Sequence, residues 1–221
     1  MRPTISIDIW SDIVCPWCYI GKRRFEAAVE TLRDEIDVTV TYRPYQLDPT
    51  ASPAKSMPVR EAYARKFGGE ERADQILQNV TDTAADEGIE FHMHRALRAN
   101  TLLAHRLLWL AAATGGQHEL KERLLKAYFT DGLDIGDPEV LATCAAEVGF
   151  DAHRVRAFLD SDDGVLEVRA DLEFAANEGI TAVPTFVLNG QWAVPGAQDA
   201  DTFVNVLRRM ASRMQSADAG D

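Results

Sequence analysis

Cys15-Pro16-Trp17-Cys18 places two thiols two residues apart. At the head of a helix this spacing brings the second sulfur within bonding reach of the first, so the pair can close to a disulfide and reopen without refolding. A helix start also offers free backbone N–H groups and the positive end of the dipole, which favour a thiolate, the reactive form of cysteine. Cys15 is therefore expected to be the more exposed thiol with the lower pKa, and Cys18 the enclosed one. The chemistry on offer is dithiol exchange. Zinc would need two more ligands, and the third cysteine, Cys144, lies in a helical stretch with no CxxC partner. His92-Met93-His94 has no acidic or thiol cluster to complete it and reads as a solvated loop. No metal or organic cofactor is expected. A pair that merely fills a core fits poorly with Pro16 and Trp17 at a helix start. Cys144, inside Leu141-Ala142-Thr143-Cys144-Ala145-Ala146, reads as a small apolar helix residue.

Three other positions bear on this chemistry. Pro184, in Val183-Pro184-Thr185, opens a late strand. A cis bond there would turn the preceding backbone outward, whereas a trans proline would only start the strand, and the residues alone leave both open. His105, after Asn100-Thr101, is either a polar contact or proton carrier over the cysteines or a satisfied structural histidine. Asp12, three residues before Cys15, either influences that thiol or ends the strand.

The elements that must hold these residues are marked by period. Ile5, Ile7 and Ile9 alternate with polar residues, which predicts a strand over 4–10. Phe25, Ala28, Val29 and Leu32 form one face of a helix starting near Cys15, and Val38, Val40 and Tyr42 return to strand period. Strand, helix, strand implies a parallel crossover. Four prolines from Pro44 to Pro58 predict an extended loop. From 59 to 179 the pattern is almost wholly helical, with Leu103, Leu107 and Leu110 on one stripe and Leu120, Leu124 and Tyr128 on another. Asp137-Pro138 predicts a helix start, Gly149 its end, and Gly179 the end of a later helix. Asn189-Gly190 between two alternating runs predicts a hairpin. Phe203, Val206, Leu207 and Met210 mark a last helix, with a frayed polar tail from about Gln215. The expected arrangement is α/β: one sheet built from both ends of the chain, with a helical insertion packed on it.

Composition narrows the classes. The chain has 221 residues, 46% of them hydrophobic and 26% charged, which fits a folded globular protein. Its formal net charge of −12 argues against nucleic acid as a partner and is attributed to solubility. No run is long enough to cross a bilayer, and no signal-type leader is read at the N-terminus, so a cytoplasmic location without membrane partners is expected.

Four further motifs sharpen the picture: Ser11-Asp12-Ile13-Val14-Cys15-Pro16-Trp17-Cys18-Tyr19-Ile20-Gly21-Lys22, Tyr42-Arg43-Pro44-Tyr45-Gln46-Leu47-Asp48-Pro49, Asn100-Thr101 with Ala104-His105, and Val194-Pro195-Gly196-Ala197-Gln198. With the order of elements and Ala182-Val183-Pro184-Thr185-Phe186, they make the chain resemble the DsbA-like branch of the thioredoxin superfamily. Within it the match is to FrnE-type proteins, also called 2-hydroxychromene-2-carboxylate isomerase-like. The resemblance implies a thioredoxin-like domain over 1–58 and 180–221 and a helical insertion over 59–179. It implies that Cys15 attacks, Cys18 resolves, and a cis Pro184 beside them, with Val183, offers backbone hydrogen bonds to an extended substrate. Pro16 and Trp17 complete the active-site motif, and His105 is grouped with the substrate-binding positions. The implied activity is protein thiol–disulfide exchange, with thiol- or disulfide-bearing proteins, and glutathione, as partners. Isomerase and kappa-class glutathione transferase relatives carry serine where Cys15 stands; this sequence departs from them, which leaves conjugation or isomerisation as the alternative. A client-binding module with incidental cysteines is a third reading, and it requires client binding to survive loss of both thiols.

Overall fold

The computed structural model describes residues 2–53 and 56–218. Strand β1 (Thr4–Ser11) leads into helix α1 (Pro16–Thr31), and strand β2 (Asp37–Pro44) then lies parallel to β1, Ile9 opposite Tyr42. Strand β3 (Met57–Pro58), helices α2 (Val59–Phe67) and α3 (Glu70–Asp86), and strand β4 (Leu97–Arg98) follow. Next come α4 (Leu102–Thr114), α5 (Gln117–Lys126), a π-helical turn (Ala127–Asp131), α6 (Pro138–Glu147), α7 (Ala152–Asp160) and α8 (Val165–Asn177). Strands β5 (Thr185–Leu188) and β6 (Trp192–Pro195) and helix α9 (Ala200–Asp218) complete the order.

The main sheet runs β2-β1-β5-β6, with β5 antiparallel to β1, so strands from both chain ends do build one sheet. Alternation decides the two faces. Ile5, Ile7 and Ile9 point to the side of α1 and α9, where Phe25, Phe186 and Phe203 pack ring to ring within 4.6–5.4 Å. Trp10 points the other way and stacks on Phe174 of α8 at 5.9 Å. A second apolar cluster gathers the helices from α3 to α7 and takes in Ile13, Tyr19 and Ile20, so α1 serves both cores.

Several expectations hold in detail. Asp137 caps α6 by accepting from the Glu139 amide at 2.8 Å. Asn189 and Gly190 have φ of 48° and 67°, the left-handed pair that a tight turn matching strand twist requires. Others need correction. The stretch before 58 is not all loop, because Met57–Pro58 pairs antiparallel with Leu97–Arg98. The His92 to His94 segment is a turn that is solvated only in part: His94 is exposed, but Met93 is buried, and His92 bonds the Thr130 carbonyl and Glu90. Helix α9 continues through Gln215 to Asp218, and the rest of the expected tail lies outside the described residues.

Candidate active site

Cys15 is the N-cap of α1, with extended backbone (φ −88°, ψ 113°), and Pro16 fills the first helical turn, where its missing N–H costs nothing. The Cys18 amide donates to the Cys15 carbonyl at 3.0 Å, which closes that first turn of backbone, and both cysteines are free thiols. Trp17 between them is 38% exposed. Cys15 Sγ lies 3.7 Å from the Val183 carbonyl oxygen, and the Val183–Pro184 bond is cis. The segment leading into β5 thus faces Cys15 directly.

The expected difference in exposure is absent: each cysteine is 3% exposed. The difference lies in the surroundings of Cys18. Burial, then the hydrogen bond and charge of Cys15, push its thiol well above the ordinary value, against the pull of Lys121 and a backbone N–H of Asp12. Cys144 lies in the helical core, and burial raises its thiol too.

Asp12 is wholly buried, and its carboxylate ties three segments together. It accepts from the amides of Ile13 and Leu47, each at 2.8 Å, and from His105 Nε2 at 3.2 Å. His105 Nε2 also reaches the Tyr45 carbonyl at 2.9 Å; a carbonyl only accepts, so this nitrogen carries the proton. Two roles were open for His105, a polar contact over the cysteines or a satisfied structural histidine, and its grouping with the substrate-binding positions assumed the first. The structure instead buries it beneath Asp12 at 2% exposure, so it braces the 45–47 loop and presents no surface to a substrate.

Beside the dithiol, a cavity of about 430 Å³ is lined by Val14, Leu47, Met57, Val59, Tyr63 and Tyr128, with Arg65, Lys66 and Arg98 at its rim. Burial and the nearby Cys15 push the Tyr63 hydroxyl up to about 12. Two further residues escaped sequence reasoning. One is Tyr63. The other is Lys121, for which a signal existed: Leu124 and Leu125 follow at three and four residues, the spacing of an apolar face. Among the described residues, no group of three or more His, Cys, Asp or Glu could hold a metal ion, and no helix is long and apolar enough to cross a membrane.

Gly21 sets how closely α1 approaches the proline segment. A Cβ there would sit 3.0 Å from Pro184 Cγ and 3.2 Å from the Ala197 side chain. Gly21→Val should therefore overpack this contact, lowering stability by about 1–3 kcal/mol and slowing disulfide exchange. Denaturant titration beside an exchange assay checks both, and an unchanged midpoint would show that the contact yields freely.

A family model described as DSBA-like thioredoxin domain matches residues 6–208. The chain is 30% identical over 206 residues to the uncharacterized protein YwbO of Bacillus subtilis (strain 168), across 92% of this chain and 96% of that one. Its structure is similar to that of a probable DsbA oxidoreductase from Streptomyces coelicolor, with TM-score 0.87, 36% identity, and 93% and 89% of the two chains covered. A 2-hydroxychromene-2-carboxylate isomerase shares the fold at TM-score 0.67 and 15% identity, over 97% of this chain and 98% of that one.

Proposed function

The chain belongs to the DSBA-like thioredoxin domain family, and on that premise we propose that it is a thiol–disulfide oxidoreductase working through Cys15 and Cys18. The observation that carries this reading is the pair of free thiols in the first turn of α1, with the Val183 carbonyl 3.7 Å from Cys15 Sγ. A substrate cysteine entering beside Val183 and Pro184 meets Cys15 first, since Cys18 lies one turn further into the helix. The Cys15 thiolate attacks the substrate disulfide and one substrate sulfur leaves. Cys18 then attacks Cys15, forming the internal disulfide and releasing the second sulfur. Trp17 and the apolar cavity support clients with apolar side chains near the cysteine.

The division into a thioredoxin-like unit, 1–58 with 180–221, and an inserted unit, 59–179, belongs to this proposal. The two apolar clusters support it, although Ile13, Tyr19 and Ile20 cross from the first unit to the core of the second. A cytoplasmic location also belongs here, supported by a cysteine content too low for a framework of structural disulfides.

Reduction of insulin disulfides by a dithiol reagent, followed by turbidity, tests the activity. Addition of the protein should accelerate precipitation, and a Cys15→Ser, Cys18→Ser double variant should not. Glutathione-dependent turnover of an electrophile retained in that double variant would transfer the assignment to the transferase or isomerase class.

A further inference from the structure

Val14, next to Cys15 in the chain, forms part of the wall of the cavity of about 430 Å³, so a client joined to Cys15 is held at its edge. Much of that wall is apolar, with Leu47, Met57, Val59 and Ala62 in it. Two groups are out of keeping with this. Tyr63 and Tyr128, the latter 2% exposed, line the same cavity, and neither hydroxyl has a hydrogen-bond partner among the described residues. Burial holds both hydroxyls well above their ordinary values, so they keep their protons and act as donors. A donor left unpaired in an apolar wall is costly unless a ligand supplies the acceptor.

The charges at the mouth favour an anionic acceptor. In a chain of net charge −12, this cavity is bordered by three cations, Arg65, Lys66 and Arg98, against one anion, Asp48. Asp48 is held by Arg98 at 2.6 Å and by Thr50, and Arg65 is paired with Glu61 on its own helix. Lys66 has no acidic partner among the described residues; its ammonium lies 5.5 Å from the Phe67 ring centroid. A carboxylate entering here meets an unpaired ammonium at the mouth and two phenolic donors in the wall. Hydrogen bonds to an ionised acceptor are about twice as strong as those between neutral groups.

We propose that this cavity selects clients with an acidic side chain, glutamate above all, one or two residues from the disulfide-bonded cysteine, and that Tyr63, Tyr128 and Lys66 determine the preference. The proposal rests on the exchange reaction proposed above. The methylenes of glutamate lie against the apolar wall, and its carboxylate accepts from the phenols and pairs with Lys66. Leucine would fill the same wall but leave both hydroxyls unpaired, and glutamine would satisfy them without the charge. This preference runs against ordinary thiol chemistry, in which a carboxylate beside a disulfide repels the attacking thiolate. It also runs against the overall charge of the chain, which repels acidic clients at a distance. Selection for acid has to come from these contacts.

Short cysteine peptides activated as pyridyl disulfides, identical except for Glu, Gln, Leu or Lys beside the cysteine, measure the preference in stopped flow. Attack by Cys15 on the peptide sulfur releases the coloured pyridinethione. No release beyond the rate without protein, from any peptide, would overturn the exchange function itself. With release, the second-order rate constant should be about tenfold higher for Glu than for Gln, with Leu below Glu and Lys lowest. Free dithiothreitol should show the reverse order for Glu and Gln. Equal constants for Glu and Gln, or Leu at or above Glu, would overturn the proposal and leave exchange intact. Tyr63→Phe and Lys66→Met, at residues that are not fully buried, should each cut the Glu-to-Gln ratio to about threefold or less. A ratio of wild-type size in both would overturn the assignment to this cavity. Dithiodiglycolate, a small disulfide with two carboxylates, compared with its diamide, separates the sources of the acid. Acid preference there without any among the peptides would give the cavity to low-molecular-weight thiols and overturn the client assignment.

Discussion

Cys18→Ser protein should accumulate mixed disulfides when exposed to disulfide substrates, whereas Cys15→Ser protein should accumulate none. The inequality follows from position. Cys15 ends the loop before α1 and faces Val183, where an incoming substrate would run, while Cys18 sits one turn inside. Burial and the hydrogen bond that the Cys18 thiol donates to Cys15 hold that thiol well above its ordinary value, which disfavours it for the first attack. With Cys18 replaced, the first attack proceeds and the covalent adduct has no internal nucleophile to release it. Either substitution should lower turnover on the order of a thousandfold or more, since the two sulfurs act as one unit. Mass spectrometry after exposure to a small disulfide, and alkylation of each thiol against pH, read the asymmetry directly. Trapped adduct on Cys18 in the Cys15→Ser protein would reverse the assignment.

Asp12→Ala should be the most damaging single change outside the dithiol, at about 3–5 kcal/mol of stability. The carboxylate is wholly buried and satisfies the Ile13 and Leu47 amides and the His105 ring; alanine leaves all three donors without that acceptor. Asp12→Asn keeps one carbonyl oxygen but turns an amide donor toward another donor, so it should recover only part of the loss. Denaturant unfolding measures the stability, and hydrogen exchange at the Leu47 amide should rise sharply. An Asp12→Ala midpoint equal to wild type would remove Asp12 from the supports of the site.

How much of this was legible beforehand depended on how local the signal was. The dithiol, the Asp137 cap and the Asn189-Gly190 turn are each decided within a few residues, and sequence reading found them. The pairing of Met57–Pro58 with Leu97–Arg98 has no readable period, because two residues cannot alternate. His105 was correctly placed on a helix, but its direction depends on the 45–47 loop, a partner about sixty residues earlier in the chain. The exposure contrast between the cysteines failed for a related reason: a helix start is open in isolation, and here Val183, from the far end of the chain, covers Cys15. Lys121 had an apolar-face signal, yet only the docking of α5 on β2 through Gln117 turns a lysine near a leucine stripe into a buried amine against the Tyr42 ring.

The pairing of Ile9 with Phe186 makes the earliest strand of the chain wait for one of the latest. During synthesis Cys15 and Cys18 leave the ribosome long before the proline segment that covers Cys15 and the helix that closes the face of Ile5, Ile7 and Ile9. Until those segments emerge, a nascent chain carries uncovered thiols beside unfinished apolar surface, the period in which it is most open to unwanted disulfides and to capture by chaperones. The window closes only when β5 docks, so truncation before Thr185 should yield a chain that chaperones retain.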